Sequence, residues 1–541
     1  MDSESQHFNS LKEMKPQIYS FLLAGVAMMS SCSDYAYDPG EPSPARDPME
    51  SAVDKAVTIN PLITYQTMQG IGASDCWMGN WVGRDWTGAR EGIARLMFSQ
   101  QIVDGQPQGI GMSMWRVNAG AGSAERGDKS GVQTVHRRAE SFRGENGGYD
   151  WSKCAGQQYF MQKAREMGTE KFVLFSNSPL VEYTYNGQAR NDRGNKSNLL
   201  PSCYGKFADY LADVTRHFTD EGYNITHISP INEPNVSWNG HDQEGSAWTI
   251  DEAARLTREL DRALGERSLS TGILLGEGDS WDCFIGDKWT SGGAPSHFWT
   301  PGDAAYIGDL DHVAPLYCCH SYWTDTAWDT QRSVRGQVAD MAGRYGIEVW
   351  QSEWCMLGDD IPKDEFPGHA AATDMDRALH MTKVMHNDFT VANVSSWCYW
   401  VAMDAPFEQN GNRWLLIYLN LAGNSVFDGE GTYAASSNLW ALGNFSLFVR
   451  PGFKRVDLAT KESKNFFGSA YISPDGRRLV AVYTNMGNKP VRLGVTADGW
   501  GNASVSTYTT SATKNLAGAA LEKGAQVVLD PQSVTTVVYD L

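Results

Sequence analysis

The sequence predicts an α/β fold, a (β/α)8 TIM barrel with an attached antiparallel β-sandwich side domain, and three observations carry that expectation. Short apolar, strand-like runs recur at intervals far too long for hairpins, and helical patterns with apolar residues three and four apart lie between them. After Gly452 the texture changes to short alternating strands with turn signals between them.

The strand-like runs are 68–74, 112–118, 172–177, 225–231, 272–277, 313–320, 347–353 and 395–401, eight in all. The clearest helical patterns fall at 204–219, 251–264, 331–345 and 374–389. Strand then helix, eight times over, is what a closed parallel barrel requires. A doubly wound sheet is the rival, but neither Gly70-Ile71-Gly72 nor Gly109-Ile110-Gly111 completes the glycine-rich phosphate turn that such a sheet places before a helix. Beyond the barrel, 470–472, 479–483, 491–496, 504–509, 525–529 and 534–539 read as strands, with Pro474-Asp475-Gly476 as a turn, and 56–59 is expected to join their sheet. The expected organisation is a signal peptide over 1–31, a tether over 32–54, a strand region for the sandwich at 55–66, the catalytic barrel at 67–445 and the C-terminal sandwich at 446–541.

With 541 residues, 41% of them apolar and 20% charged, the chain is long and apolar enough for a large core. Its 45 Lys+Arg against 64 Asp+Glu leave a formal charge of -19, which repels a phosphate backbone, so no nucleic-acid partner is expected. Residues 18–29 form the one membrane-like run, too short to span a bilayer, and it follows Lys12 and Lys15. Met29-Ser30-Ser31-Cys32 closes it with small residues before a cysteine, which resembles a bacterial lipoprotein cleavage site with Cys32 as the acylated residue. An exported protein held at the outer membrane or cell surface of a bacterium through that lipid anchor follows, with ordinary secretion as the alternative. The Pro-, Asp-, Glu- and Ser-rich stretch behind Cys32 reads as a flexible tether. Eight cysteines remain after Cys32, and their spacing fixes no pairing. No CxxC knuckle, HExxH, Walker motif or GxSxG is present, and Ser280 has no assignable base, so neither a metal nor a cofactor is expected.

In a barrel, chemistry sits at the carboxyl ends of the strands. Glu233 follows Ile228-Ser229-Pro230-Ile231-Asn232 at the tip of the fourth run, and Glu353 ends Ile347-Glu348-Val349-Trp350-Gln351-Ser352 at the tip of the seventh. They are 120 residues apart, three strand-helix units, and so should face each other across the mouth. A facing carboxylate pair is what glycoside hydrolysis demands: one protonates the leaving oxygen, while the other attacks the anomeric carbon or activates water. Glu277 and Asp279 at the fifth strand are rival carboxylates, ranked lower because Gly276 and Gly278 suggest a tight turn there.

These residues carry a resemblance. Asn232-Glu233-Pro234 and Gln351-Ser352-Glu353 look like the acid/base and nucleophile motifs of the large retaining-glycosidase clan built on this barrel. Gln69-Gly70-Ile71-Gly72-Ala73-Ser74, Trp115-Arg116-Val117-Asn118, Asn444-Phe445-Ser446-Leu447-Phe448-Val449-Arg450-Pro451-Gly452 and Ser533-Val534-Thr535-Thr536 make the chain similar to glycoside hydrolase family 30, and within it to the endo-β-1,6-galactanase-like branch. The resemblance covers residues 55–541. It implies a retaining endo-β-glycosidase of β-1,6-galactan-type polysaccharide, with Glu233 as acid/base and Glu353 as nucleophile, and a sandwich packed on the barrel's flank. One departure is Phe175-Ser176-Asn177-Ser178-Pro179-Leu180 at the third strand, where many relatives carry a Trp. The alternatives are another family 30 β-glycosidase, acting as a β-1,6-glucanase, a xylanase or in a glucosylceramidase-like way, or an inactive surface glycan-binding lipoprotein.

A retaining site needs one carboxyl protonated and the other ionised, and a cation beside Glu353 would help. Arg116 at the end of the second strand is the candidate and by resemblance bonds the nucleophile. Asn232 looks placed to bond a sugar 2-hydroxyl, and Tyr322 resembles the family tyrosine near the nucleophile. His320, ending the sixth strand, reads equally as a packed or a catalytic imidazole. Asp75 and Trp77 suit hydroxyl bonding and stacking in the innermost subsite, with a turn-capping Asp75 as the other reading, and Trp400 is a candidate floor. Trp238, Trp248, Trp323 and Trp354 lie in loops after strands four, six and seven, where some stack on sugars and some pack. The expected partner is a polysaccharide or oligosaccharide substrate, and the expected state is a monomer.

Overall fold

A computed structural model of the chain describes residues 53–358, 360–406 and 415–541. The signal peptide, the acylation site at Cys32 and all of the tether except Val53 and Asp54 lie outside the described residues.

Eight staves form the barrel, and the parallel ladder runs unbroken around it. They are Gly70–Ser74, Met114–Asn118, Lys171–Phe175, Ile225–Ser229, a fifth position split into Gly272–Ile273 and Leu275–Gly278, then Leu316–His320, Glu348–Trp354 and Ser396–Tyr399. The eighth strand closes on the first, with Ser396 opposite Gly70. Gly272–Ile273 pairs with the fourth strand and Leu275–Gly278 with the sixth, so the fifth stave hands the ladder over halfway along its length. Each of the eight runs read from the sequence overlaps one of these staves, with Lys171, Gly278 and Trp354 each falling one residue outside its run. Met114, Val173, Leu274, Leu316, Cys318, Trp350 and Cys398 fill the interior as a contiguous apolar cluster, so the barrel is a packed core rather than a pore.

The helices follow the predicted period. Tyr204–Asp220 and Ile250–Glu266 pack on the outside, and the second opens with a capping box in which Thr249 and Glu252 satisfy each other's backbone N–H groups. Asp374–Thr390 opens with a similar box at Thr373 and Asp376, but it buries residues all round, Lys383 and His386 included. It is wedged between the barrel and the side domain, where Thr484 hydrogen-bonds Thr382 at 3.2 Å.

The side domain is a nine-stranded mixed sheet ordered Lys514–Leu521, Ser504–Ser511, Ser533–Asp540, Arg478–Asn485, Phe466–Ile472, Lys454–Thr460, Lys55–Thr67, Val491–Ala497 and Val527–Leu529. Every neighbouring pair is antiparallel except Lys55–Thr67 with Val491–Ala497, so the chain entering the barrel is built into this sheet. It has its own core, in which Val57 and Ile59 meet Leu479, Ala481 and Val537. Two of its strands escape a reading by apolar alternation: Lys454–Thr460 carries three charges in seven residues, and Lys514–Leu521 is rich in Ala and Gly, which are poor strand formers. The Asn444–Gly452 motif ties the two parts together. Asn444 donates to Tyr508 O and Thr536 Oγ1, both at 2.9 Å, and Arg450 pairs with Glu170 at the base of the barrel.

Candidate active site

Three irregularities at the carboxyl ends of the strands aim carboxylates into the mouth. Glu233 leaves the fourth strand with φ 41°, a conformation that costs a non-glycine residue on the order of 1–3 kcal/mol, and its N–H donates to Glu277 O at 2.8 Å. Between the sixth and seventh strands Cys319 lies opposite Gln351 but His320 lies opposite Glu353, so Ser352 is an extra residue and Glu353 is re-aimed. Between the fifth and sixth strands Cys318 lies opposite Gly276 but Cys319 opposite Gly278, which makes Glu277 the extra residue there. Glu277 has φ 56° and follows Gly276 at φ 115°. A Cβ on Gly276 would fall 2.2 Å from Cys318 O, so only glycine fits, and the chain turns Glu277 into the barrel.

Arg116 joins these groups. Its Nη1 donates to Glu353 Oε2 at 2.7 Å, its Nη2 donates to Asn232 Oδ1 at 3.3 Å, and the same Nη2 lies 3.4 Å from Glu277 Oε1. Beneath it the Phe175 ring lies 3.7 Å from the guanidinium carbon. Tyr322 donates its hydroxyl to Glu353 Oε1 at 3.1 Å. His320 stands between two carboxylates, with Nδ1 3.2 Å from Glu233 Oε1 and Nε2 3.0 Å from Glu277 Oε2. Ser352 donates to Glu277 Oε2 at 2.6 Å.

Burial works against every charge in this cluster, so the direction each group takes reports its partners. Burial raises the Glu233 carboxyl; contact with His320 opposes this, and Glu353 and Asp279 add to it. Burial would also raise Glu277, but Arg116, His320 and Ser352 overcome it and hold that carboxyl at about 2. His320 resists burial because Glu353, Glu233 and Glu277 surround it, and it rises to about 10. Carboxyl oxygens at both nitrogens favour the charged imidazole, in which both nitrogens are N–H donors. Glu233, His320 and Glu353 each bring a donor atom within 4.8 Å of the others, but such an imidazole has no lone pair left for a metal ion.

Exposure separates the groups that can touch a substrate from those that cannot. The Glu233 side chain is 13% exposed and that of Glu353 5%, whereas Glu277 and His320 are at 0%. Trp77 and Trp400 meet edge to face at 5.0 Å beside the pair, each showing a sliver of surface. Asp75 is turned inward: its Oδ1 accepts from Asn118 N–H at 3.0 Å, its Oδ2 accepts from Gln157 Nε2 at 2.5 Å, and burial lifts its carboxyl to about 7. Neither partner lies in Asp75's own turn, so its side chain does not cap a turn but ties the end of the first strand to the second strand and to Gln157 on helix Ala155–Glu166. Of the four tryptophans expected in loops, Trp354 instead ends the seventh strand and is buried, Trp248 is buried and Trp238 is spent on a hydrogen bond to Glu233 O, while Trp323 at φ 61° is 52% exposed. Sequence reading set Glu277 aside as part of a glycine turn. Its one signal was position, since it ends the fifth apolar run just as Glu233 and Glu353 close theirs.

Residues 54–412 match the family model of O-glycosyl hydrolase family 30. The chain is 25% identical over 421 residues to an endo-beta-1,6-galactanase of Hypocrea rufa, covering 74% of this chain and 76% of that protein. It is 22% identical over 342 residues to glucuronoxylanase XynC of Bacillus subtilis strain 168, covering 63% of this chain and 65% of that one. Among solved structures, a conserved exported protein of Bacteroides fragilis superposes with a TM-score of 0.82 at 28% identity, over 90% of this chain and all of that one. The catalytic domain of xylanase C from Talaromyces cellulolyticus shares the fold at a TM-score of 0.64 and 20% identity, again over 90% of this chain and all of that one.

Proposed function

Because the chain belongs to O-glycosyl hydrolase family 30 and is a retaining glycoside hydrolase, we propose that it is an endo-acting enzyme of β-1,6-galactan-type polysaccharide that uses Glu233 as acid/base and Glu353 as nucleophile. The observation that carries the roles is the pair itself. One oxygen of each carboxylate lies within 4.8 Å of one of the other, which fits the roughly 5–5.5 Å spacing of retaining sites better than the roughly 6.5–9.5 Å that an inverting water needs.

In the first step a Glu353 oxygen bonds the anomeric carbon as the glycosidic bond breaks, and the Glu233 proton goes to the leaving oxygen. In the second, Glu233 takes a proton from water, the water oxygen bonds the same carbon from the original face, and the ester bond returns its electron pair to Glu353. Arg116 and Tyr322 hold Glu353 in one orientation, so little reorganisation accompanies the attack. Because Arg116 occupies Asn232 Oδ1, the Asn232 amide NH2 is left to donate to a sugar 2-hydroxyl. The exposed face of Trp323 at the rim suits stacking on a further sugar.

The galactanase relative supports the choice of polymer, and the glucuronoxylanase relative favours xylan as the second reading. The intact carboxylate pair speaks against a glycan-binding protein without turnover. Product profiles on β-1,6-galactan, β-1,6-glucan, xylan and β-1,3-galactan test the assignment. A ladder of short β-1,6-galacto-oligosaccharides is expected, and hydrolysis confined to xylan would replace the galactan reading.

The anchor belongs to the same proposal. Export is supported by the likeness to an exported Bacteroides fragilis protein, and among the described residues no helix is long and apolar enough to cross a membrane. Cys32→Ala should move activity from the detergent phase to the aqueous phase in phase partitioning without changing its rate; wild-type protein already in the aqueous phase would leave simple secretion.

A further inference from the structure

We propose that Glu277 is a positioning residue that keeps the proton on Glu233 in the resting enzyme, acting through the imidazole of His320. The proposal rests on the acid/base and nucleophile roles assigned above. At 0% exposure Glu277 cannot touch a sugar, so any influence it has on the reaction passes through its neighbours.

The charged groups of the buried cluster can be counted. Arg116 and a doubly protonated His320 supply two positive charges, while Glu233, Glu277 and Glu353 would supply three negative ones. One carboxyl must keep a proton if the cluster is to be neutral, and an uncompensated charge at such depth is costly. Glu353 has Arg116 at 2.7 Å, and Glu277 has Arg116, His320 and the Ser352 hydroxyl. Glu233 has a share of His320 alone, so the proton stays there.

The count holds through the reaction. In the glycosyl-enzyme the charge of Glu353 is consumed in the ester and Glu233 is the anion, and the cluster is again neutral. Without Glu277 it would carry one excess positive charge in both states, and that charge would be relieved by releasing the proton that the first step needs.

The other groups facing these carboxylates leave the count unchanged. The Cys318 thiol and the Tyr317 phenol of the sixth strand and the Cys398 thiol of the eighth are within electrostatic reach of Glu277, and burial keeps all three neutral. Glu233 is faced besides by the neutral Tyr322 and by Asp279, whose charge Lys288 meets at 2.7 Å.

The test is the pH dependence of kcat/KM for Glu277→Gln in the full chain, on the substrate that wild type turns over best. Removing a negative charge lowers the pH at which Glu233 ionises, so the alkaline limb should move down by about one pH unit or more, a loss of about tenfold on that limb. At low pH the variant should approach wild type, and Glu277→Asp, which keeps the charge, should restore the limb. A loss by the same factor at every pH, with the limb unmoved, would overturn the proposal. If wild type hydrolyses no β-glycoside, the underlying reading fails and this one falls with it, which is a different outcome from an unmoved limb. Should Glu277→Gln fail to fold, nitrogen NMR of wild type with labelled histidine decides instead. His320 must remain doubly protonated at pH 7, and a neutral imidazole there would equally overturn it.

Discussion

Glu353→Ala is expected to abolish turnover, lowering kcat on the order of 10⁵-fold or more, because the covalent intermediate loses the atom that forms it. The Arg116 guanidinium and the Tyr322 hydroxyl would then face a vacated space at the barrel mouth. Azide fits that space and would attack an activated aryl β-glycoside from the face the carboxylate used, releasing an α-glycosyl azide. In the wild-type enzyme the same geometry requires two inversions, so proton NMR of the first minutes of hydrolysis should show the β-anomer before mutarotation. An initial α-anomer would remove the nucleophile assignment, and with it the reading of the short Glu233–Glu353 approach.

Glu233→Ala should separate substrates by their leaving groups. On the polysaccharide the departing sugar hydroxyl needs a proton, and the loss should be about 10³-fold. An aryl glycoside whose phenolate leaves unaided should form the glycosyl-enzyme almost as fast as before, and the missing base would then make its hydrolysis limiting. Azide should accelerate that step and yield the β-glycosyl azide, the opposite anomer from the Glu353 variant. Equal losses on both substrate types would count against Glu233 as the acid, and exchanged azide anomers would exchange the two roles.

Much of the site was legible because it obeys a one-dimensional rule. The strand-helix rhythm locates the carboxyl ends of the staves, and Glu233, His320 and Glu353 stand at or near those ends, whereas Arg116, expected to end the second strand, sits in the middle of Met114–Asn118. The side sheet was legible where its strands alternate, and it was missed at Lys454–Thr460 and Lys514–Leu521, whose composition hides the period. Among the aromatics, composition offered no means of telling exposed Trp323 from buried Trp248, since both lie in loops and only packing decides which face meets solvent.

By itself the sequence determined the barrel, the two facing carboxylates and the cation beside Glu353, since each is a matter of residue type in or just after a periodic run. The tertiary structure alone decided that Glu277 belongs with them, that His320 is held between Glu233 and Glu277, and that Asp75 turns away to Asn118 and Gln157. For the first two the physical reason is that the contacts join strands whose register slips by one residue at Ser352 and at Glu277. Such a slip re-aims a side chain without disturbing the apolar pattern, so it becomes visible only when neighbouring staves lie side by side.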